Sequence, residues 1–198
     1  MTNTTPQLYV ASASPRRHAL LRQLGLRFEV VDGAVEEFVA PGESPEAYVQ
    51  RMALAKAGLR LAQHVTPVLG ADTEVVVDIE VLGKPRDAAH ARAMMLKLSG
   101  RTHRVLSAVA VVNATQQRVI LQESLVRMRT ISDQECAAYW ASGEPVDKAG
   151  GYAVQGLGAV FVEHIQGSYS GVMGLPLFET AKLLQAFGVE VLHKDVHA

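Results

Sequence analysis

Short apolar runs alternate with longer amphipathic stretches along the chain. Leu8 to Ala11 predicts a short buried strand, and Ser14-Pro15 then opens a helix to about Leu24. Serine is a good N-cap, proline is preorganised for the first helical position, and Gly25 stops the helix. Leu20, Leu21 and Leu24 recur at helical spacing and should face the core. Phe28 to Val31 predicts a second strand. Ser44-Pro45 repeats the cap and starts a helix to about Gln63. Val68 to Leu82 reads as a strand and hairpin: Thr73 to Val77, a turn near Asp78, then Glu80 to Leu82. A helix from about Ala88 to Leu98 follows, capped by Asp87, with Gly100 just past its end. His103 to Val112 and Val119 to Arg129 are two long strand-like runs joined at Asn113 to Gln117. Ser132-Asp133-Gln134-Glu135 fits a capping box and begins another helix. A glycine-rich loop from Gly143 to Gly158, a strand from Ala159 to Ile165 and a helix after Pro176 complete the pattern.

Strands and helices in this mixture imply an α/β fold with one mixed central sheet flanked by helices. The 198 residues show no repeat or linker, so a single domain over residues 1–198 is expected. Hydrophobic residues at 48% and charged residues at 20% are ordinary for a soluble globular protein. A net charge of -1 argues against wrapping nucleic acid, which rewards a strongly basic face. Cys136 has no second cysteine to pair with, which fits a reducing compartment, and is read as a small helix residue. Met1 to Gln7 lacks the basic end and apolar stretch of a signal peptide. The longest apolar run, Val105 to Val112, is broken by Ser107 and far short of a membrane span. The expectation is a cytoplasmic protein with no membrane partner.

Four segments concentrate residues suited to chemistry. In Ala11-Ser12-Ala13-Ser14-Pro15-Arg16-Arg17 a strand gives way to a helix N-terminus carrying two arginines. Free N–H groups, small residues and forked guanidinium donors suit a phosphate, although a capped helix with two solvated arginines fits as well. Gly70-Ala71-Asp72-Thr73 sets a carboxylate at the end of an apolar strand, as a functional group or as a turn aspartate bonding its own backbone. Gly83-Lys84-Pro85 holds a lysine at the hairpin exit. Asp147-Lys148-Ala149-Gly150-Gly151-Tyr152 with Gln155-Gly156-Leu157-Gly158 is neither a P-loop nor a dinucleotide fingerprint. It reads as a connecting loop or as a mobile one closing over a substrate. Glu36, Glu37 and Lys56 read by default as surface charge. The seven histidines show no zinc-ligand spacing, and His103, beside Arg101 and Arg104, reads as an exposed strand edge.

Taken together these segments resemble the Maf family of nucleotide pyrophosphatases, first known as septum-formation proteins. The resemblance rests on Ala11-Ser-Ala-Ser-Pro-Arg-Arg17, Gly70-Ala-Asp-Thr73, Gly83-Lys-Pro-Arg-Asp87, Leu98-Ser-Gly-Arg-Thr-His103, Gly143-Glu-Pro-Val-Asp-Lys-Ala-Gly150, Gln155-Gly-Leu-Gly158 and Gly174-Leu-Pro-Leu177. They occur in the family's order along nearly the whole chain. One departure is Gly151-Tyr152-Ala153, where many members read Ala-Tyr-Gly.

The resemblance implies two lobes around a substrate cleft, as in inosine triphosphatase-like folds, often in a homodimer. It implies a nucleoside triphosphate substrate cut between the α and β phosphates with a divalent metal, Mg2+ or Mn2+. The aspartate matching Asp72 is the catalytic proton acceptor, and Glu37 and Asp72 are expected to hold the metal. Ser12, Arg16, Arg17, Lys56, Lys84 and Gln155 are expected to line the site, with Arg16, Arg17, Lys56 and Lys84 on the phosphates. Arg16, Thr73 and Gln155 match the dTTP/UTP subgroup, where the 7-methyl-GTP subgroup tends to carry tryptophan, glutamine and glutamate. Gln155 would read the base, with Arg16 and Thr73 as candidates to fix its amide. The role implied is house-cleaning of the nucleotide pool, linked to cell-division arrest. The alternatives are a 7-methyl-GTP pyrophosphatase and a non-catalytic nucleotide-binding regulator of septum formation.

Overall fold

The computed structural model describes residues 6–59 and 66–191. Seven strands form one mixed sheet: β1 (Leu8–Val10), β2 (Phe28–Val30), β3 (Val68–Val77), β4 (Glu80–Leu82), β5 (Thr102–Val112), β6 (Gln117–Met128) and β7 (Val162–Gln166). Their order is β2-β1-β3-β5-β6-β7, with β4 also paired to β3. β1 runs parallel to β2 and β3, and the remaining pairs are antiparallel. Among the described residues six α-helices flank the sheet: α1 (Pro15–Gln23), α2 (Pro45–Gly58), α3 (Ala88–Leu98), α4 (Asp133–Ala141), α5 (Tyr169–Met173) and α6 (Leu177–Gln185).

The expected caps are made. Ser14 Oγ accepts from Arg17 N, Ser44 Oγ from Ala47 N and Asp87 Oδ1 from His90 N. Ser132 and Glu135 bond reciprocally as a capping box. α2 is described to Gly58, and its expected continuation through positions 60–63 lies outside the described residues. The glycine-rich segment winds into three 3-10 turns, at Glu144–Asp147, Ala149–Gly151 and Leu157–Phe161. β7 therefore starts at Val162, three residues later than expected. α5 was not anticipated; five residues are too few for a periodic signal.

Side chains alternate along β3, and both faces are covered. Val68 and Val76 face α2 and pack with Val49, Ala53 and Ala57. On the opposite face Leu69 and Ala71 join the apolar cluster of α1 and α6, while Val75 and Val77 join that of α3 and α4. Each such side chain contributes about 1.5–3 kcal/mol when fully buried. The face opposite α2 thus carries two apolar clusters, one at each end of β3.

His103 is not an exposed edge. β5 lies between β3 and β6, and alternation turns His103 inward, where it is 3% exposed and shares a 2.8 Å hydrogen bond with the Tyr152 hydroxyl. Burial pushes its pKa down to about 4. An unfolded histidine takes its proton near pH 6.5. Between those values the unfolded chain binds more protons, so stability falls as pH drops through that window. From pH 7 to 5 the loss from this group is about 2 kcal/mol by linkage, or ~4–8 °C in Tm for a domain of this size. Melting His103→Gln alongside the parent at both pH values isolates the contribution, since the variant should lack it. Equal losses in the two proteins would show that His103 does not titrate this way.

Candidate active site

A gap in strand pairing creates the cleft. One edge of β3 pairs with β1 at Val68 and Leu69, then with β4 from Val75 to Val77. Between these partners the edge is open across Gly70 to Glu74. The chain leaving β1 carries Ser12 and α1 around one side of the gap, and the chain leaving β4 carries Gly83-Lys84 around the other. The resulting cavity is about 680 Å³, and Ser12, Arg16, Arg17, Glu37, Lys56, Asp72, Thr73, Lys84 and Gln155 all border it.

Alternation sorts the residues of β3. Asp72 points toward α2, where Lys56 Nζ donates to Asp72 Oδ1 at 2.6 Å and contacts Glu37 Oε1 at 2.5 Å. The two expected metal carboxylates are therefore joined through an ammonium group. Burial pushes the Glu37 carboxyl up, but the bond to Lys56, with the charges of Lys56, Lys84 and Arg17, holds it below its usual value. Close approach of α2 requires Gly70, because a Cβ there would meet Ala53 O at 2.3 Å and Ala57 N at 2.4 Å.

Thr73 points the other way. Its hydroxyl lies 3.0 Å from Ser107 Oγ and accepts from Arg17 Nη2 at 3.4 Å. Arg17 also donates to Gly174 O at 2.9 Å and to Ser12 Oγ at 3.2 Å. Three of its five N–H groups are thus committed to protein acceptors, and Arg17 ties α1 to the sheet and α5. Arg16 instead reaches across the cleft to Asp147, at 3.2 Å. Neither Arg16 nor Thr73 bonds Gln155, so the expected orientation of its amide by those two residues is not made.

What holds Gln155 is a residue that sequence reasoning did not single out. Glu144 Oε2 accepts from Leu157 N at 2.9 Å, and Oε1 accepts from Gly158 N at 2.9 Å and from the Tyr139 hydroxyl at 2.6 Å. The Tyr139 oxygen accepts from Ala153 N at 3.0 Å. Both flanks of Gln155 are therefore anchored to α4 and the turn after it. A Cβ on Gly156 would fall 2.1 Å from Glu144, and one on Gly158 2.6 Å from the Tyr139 hydroxyl. These glycines admit the clamp. Gly150 and Gly151 have φ of 68° and 72°, so the departure at Gly151 supplies a residue suited to the left-handed backbone found there.

Glu74 was also missed. It leaves β3 on the same face as Asp72 and borders the cleft. Burial, then the Asp72 and Glu37 charges, push it up to about 8. The signal was available, since Asp72 and Glu74 stand two apart in a strand pattern. Among the described residues no three His, Cys, Asp or Glu side chains are grouped closely enough to hold a metal ion alone. Asp72 Oδ2 and Glu74 Oε2 are nonetheless buried acceptors without a hydrogen-bond partner. Such hard oxygens fit a divalent cation that takes its remaining ligands from phosphate and water.

These features are those of a nucleotide-binding cleft with an acidic floor. The profile of the Maf-like protein family matches residues 7–187, and the chain belongs to that family. A dTTP/UTP pyrophosphatase from Alkalilimnicola ehrlichii is 51% identical over 192 residues, covering 93% of this chain and 95% of that protein. Another from Methylococcus capsulatus is 52% identical over 185 residues, covering 92% of each. A dITP/XTP pyrophosphatase structure from Mycobacterium abscessus is 21% identical, with a TM-score of 0.44 over 63% of this chain and 75% of that one. Among the described residues no helix is long and apolar enough to cross a membrane.

Proposed function

We propose that this chain hydrolyses dTTP and UTP to the monophosphate and pyrophosphate. The observation that carries the reading is the convergence of Asp72, Lys56, Arg16 and Lys84 on one cleft, together with the activity named for relatives at about half identity over nearly their whole length. The reading includes a homodimer, as the family resemblance implies, and the cytoplasmic location expected from the sequence.

The reaction is attack of water on the α phosphorus with pyrophosphate leaving. Its barrier lies mainly in gathering negative charge and aligning the nucleophile. Arg16, Lys56 and Lys84 bind the triphosphate, and Arg17 fixes the N-terminus of α1 behind it. Asp72 accepts a hydrogen bond from the attacking water and takes its proton. Asp72 and Glu37 would hold Mg2+ or Mn2+, which would neutralise charge on the phosphates.

Gln155 selects the base. Thymine and uracil present O4 and N3–H side by side, and one amide pairs with both. Anchoring by Glu144 and Tyr139 supports this, because it fixes the backbone that carries the amide. In Gln155→Glu the donor becomes an acceptor and the O4 contact turns repulsive. A mismatched polar pair in a closed site costs about 1–3 kcal/mol, so kcat/KM for dTTP and UTP should fall roughly 5- to 150-fold. The experiment measures pyrophosphate release from dTTP, UTP, CTP and 7-methyl-GTP by both proteins. Parent turnover of 7-methyl-GTP above dTTP, or no pyrophosphate from any substrate, refutes the proposed activity. Unchanged rates and ranking in the variant remove Gln155 from base recognition.

A further inference from the structure

One carboxylate in the cleft has no part in the reaction as proposed. Asp72 and Glu74 leave the same face of β3, where they are 5% and 9% exposed. Each keeps a buried oxygen, Asp72 Oδ2 and Glu74 Oε2, that meets no hydrogen-bond donor among the described residues. Leaving a buried acceptor bare is costly, and more so when it is charged. Two on one strand face call for a positive partner. Lys56 does not supply it to both, since its ammonium is shared between Glu37 Oε1 and Asp72 Oδ1.

We propose that Glu74, with Asp72, ligates the divalent cation that accompanies the triphosphate, through Glu74 Oε2 and Asp72 Oδ2. The inference rests on the pyrophosphatase reading and moves the protein's share of the cation site onto β3. Carboxylate oxygens are hard donors suited to Mg2+ and Mn2+. Two protein ligands make a weak site, and no third His, Cys, Asp or Glu is grouped with them among the described residues. Phosphate oxygens must complete the shell, so cation and nucleotide bind together.

Mn2+ uptake by the full chain, read as the excess of Mn2+ on the protein side at equilibrium dialysis, tests this. It is measured with and without a saturating α,β-methylene analogue of dTTP, which cannot release pyrophosphate. The parent should bind Mn2+ tightly only with the analogue. Glu74→Gln should weaken that binding by at least about 10-fold, while metal-free affinity for the analogue does not fall. Glu74→Asp keeps the charge but withdraws it by one methylene, and it should also bind Mn2+ more weakly; it decides the matter if the glutamine variant does not fold. Parent-like Mn2+ binding by Glu74→Gln overturns the inference and leaves the pyrophosphatase reading intact. So does parent-like binding by Glu74→Asp beside a weak Glu74→Gln, since the carboxylate would then act through its charge alone. A parent that takes up no Mn2+ with the analogue removes the metal from the proposed function, and this inference with it.

Discussion

Asp72→Asn should lower dTTP turnover by roughly 10²–10⁴-fold, the range for loss of a general acid–base group, while affinity for the nucleotide changes only a few-fold. Asparagine has the same shape, and its carbonyl oxygen can still accept from Lys56 Nζ, now 2.6 Å from Asp72 Oδ1. Lys56 also keeps its contact with Glu37. The floor of the cleft should therefore stand, and the change falls on proton acceptance and on the share of the cation that Asp72 holds. Arg16 and Lys84, the proposed phosphate ligands, belong to other segments. Pyrophosphate release under saturating dTTP gives kcat, and calorimetric titration with the α,β-methylene analogue in the absence of divalent metal gives affinity, so that a lost cation ligand does not enter it. Turnover within threefold of the parent would falsify the role of Asp72. Loss of both turnover and binding would make it a structural support of the cleft.

The second large effect is on stability. Gly70→Ala should cost about 3 kcal/mol, the upper end for overpacking a core, because the atoms in the way are backbone. Ala53 O and Ala57 N would lie 2.3 and 2.4 Å from the new Cβ, and neither can rotate aside. α2 must move away from β3. Tm should fall by ~6–12 °C at the sensitivity of a domain this size. Turnover should fall too, because Ala57 adjoins Lys56 and any displacement of α2 draws the ammonium from Asp72. Gly58→Ala is the control. Nothing lies within 4 Å of its Cβ, and alanine in a helical turn favours folding by up to ~1 kcal/mol. If both variants melt together, the packing of α2 on β3 is looser than these contacts require.

Much of the framework was legible because its signals are local. Ser14-Pro15, Ser44-Pro45, Asp87 and Ser132 with Glu135 announce helices through bonds made within four residues. What escaped depends on contacts distant in sequence. Glu144 clamps Leu157 and Gly158 thirteen and fourteen residues away. Arg17 bonds Gly174 across 157 positions, a tie between α1 and α5 that no local pattern announces. His103 was misjudged from its neighbours. Arg104 does face outward, to Glu46 and Glu123, but strand alternation sends the adjacent residue into the core. Glu74 lay within the strand expected over Thr73 to Val77, but Asp72 was read as ending a separate run, so their shared face on one continuous β3 went unused.

The opposite directions of Asp72 and Thr73 have a consequence for how such a chain can change length. Deleting Ala71 would exchange the two faces downstream of the change, bringing Thr73 to the place of Asp72 and Glu74 to that of Thr73. A hydroxyl would then meet Lys56, and a carboxylate would be driven against Ser107 and the carbonyl of Gly174. Such a deletion displaces the proposed base and buries an unmatched charge in one step. The turn between β5 and β6, at Asn113 to Gln116, carries no cleft residue and can absorb added residues at little cost. Length variation among relatives should collect in turns of that kind and avoid the middle of β3.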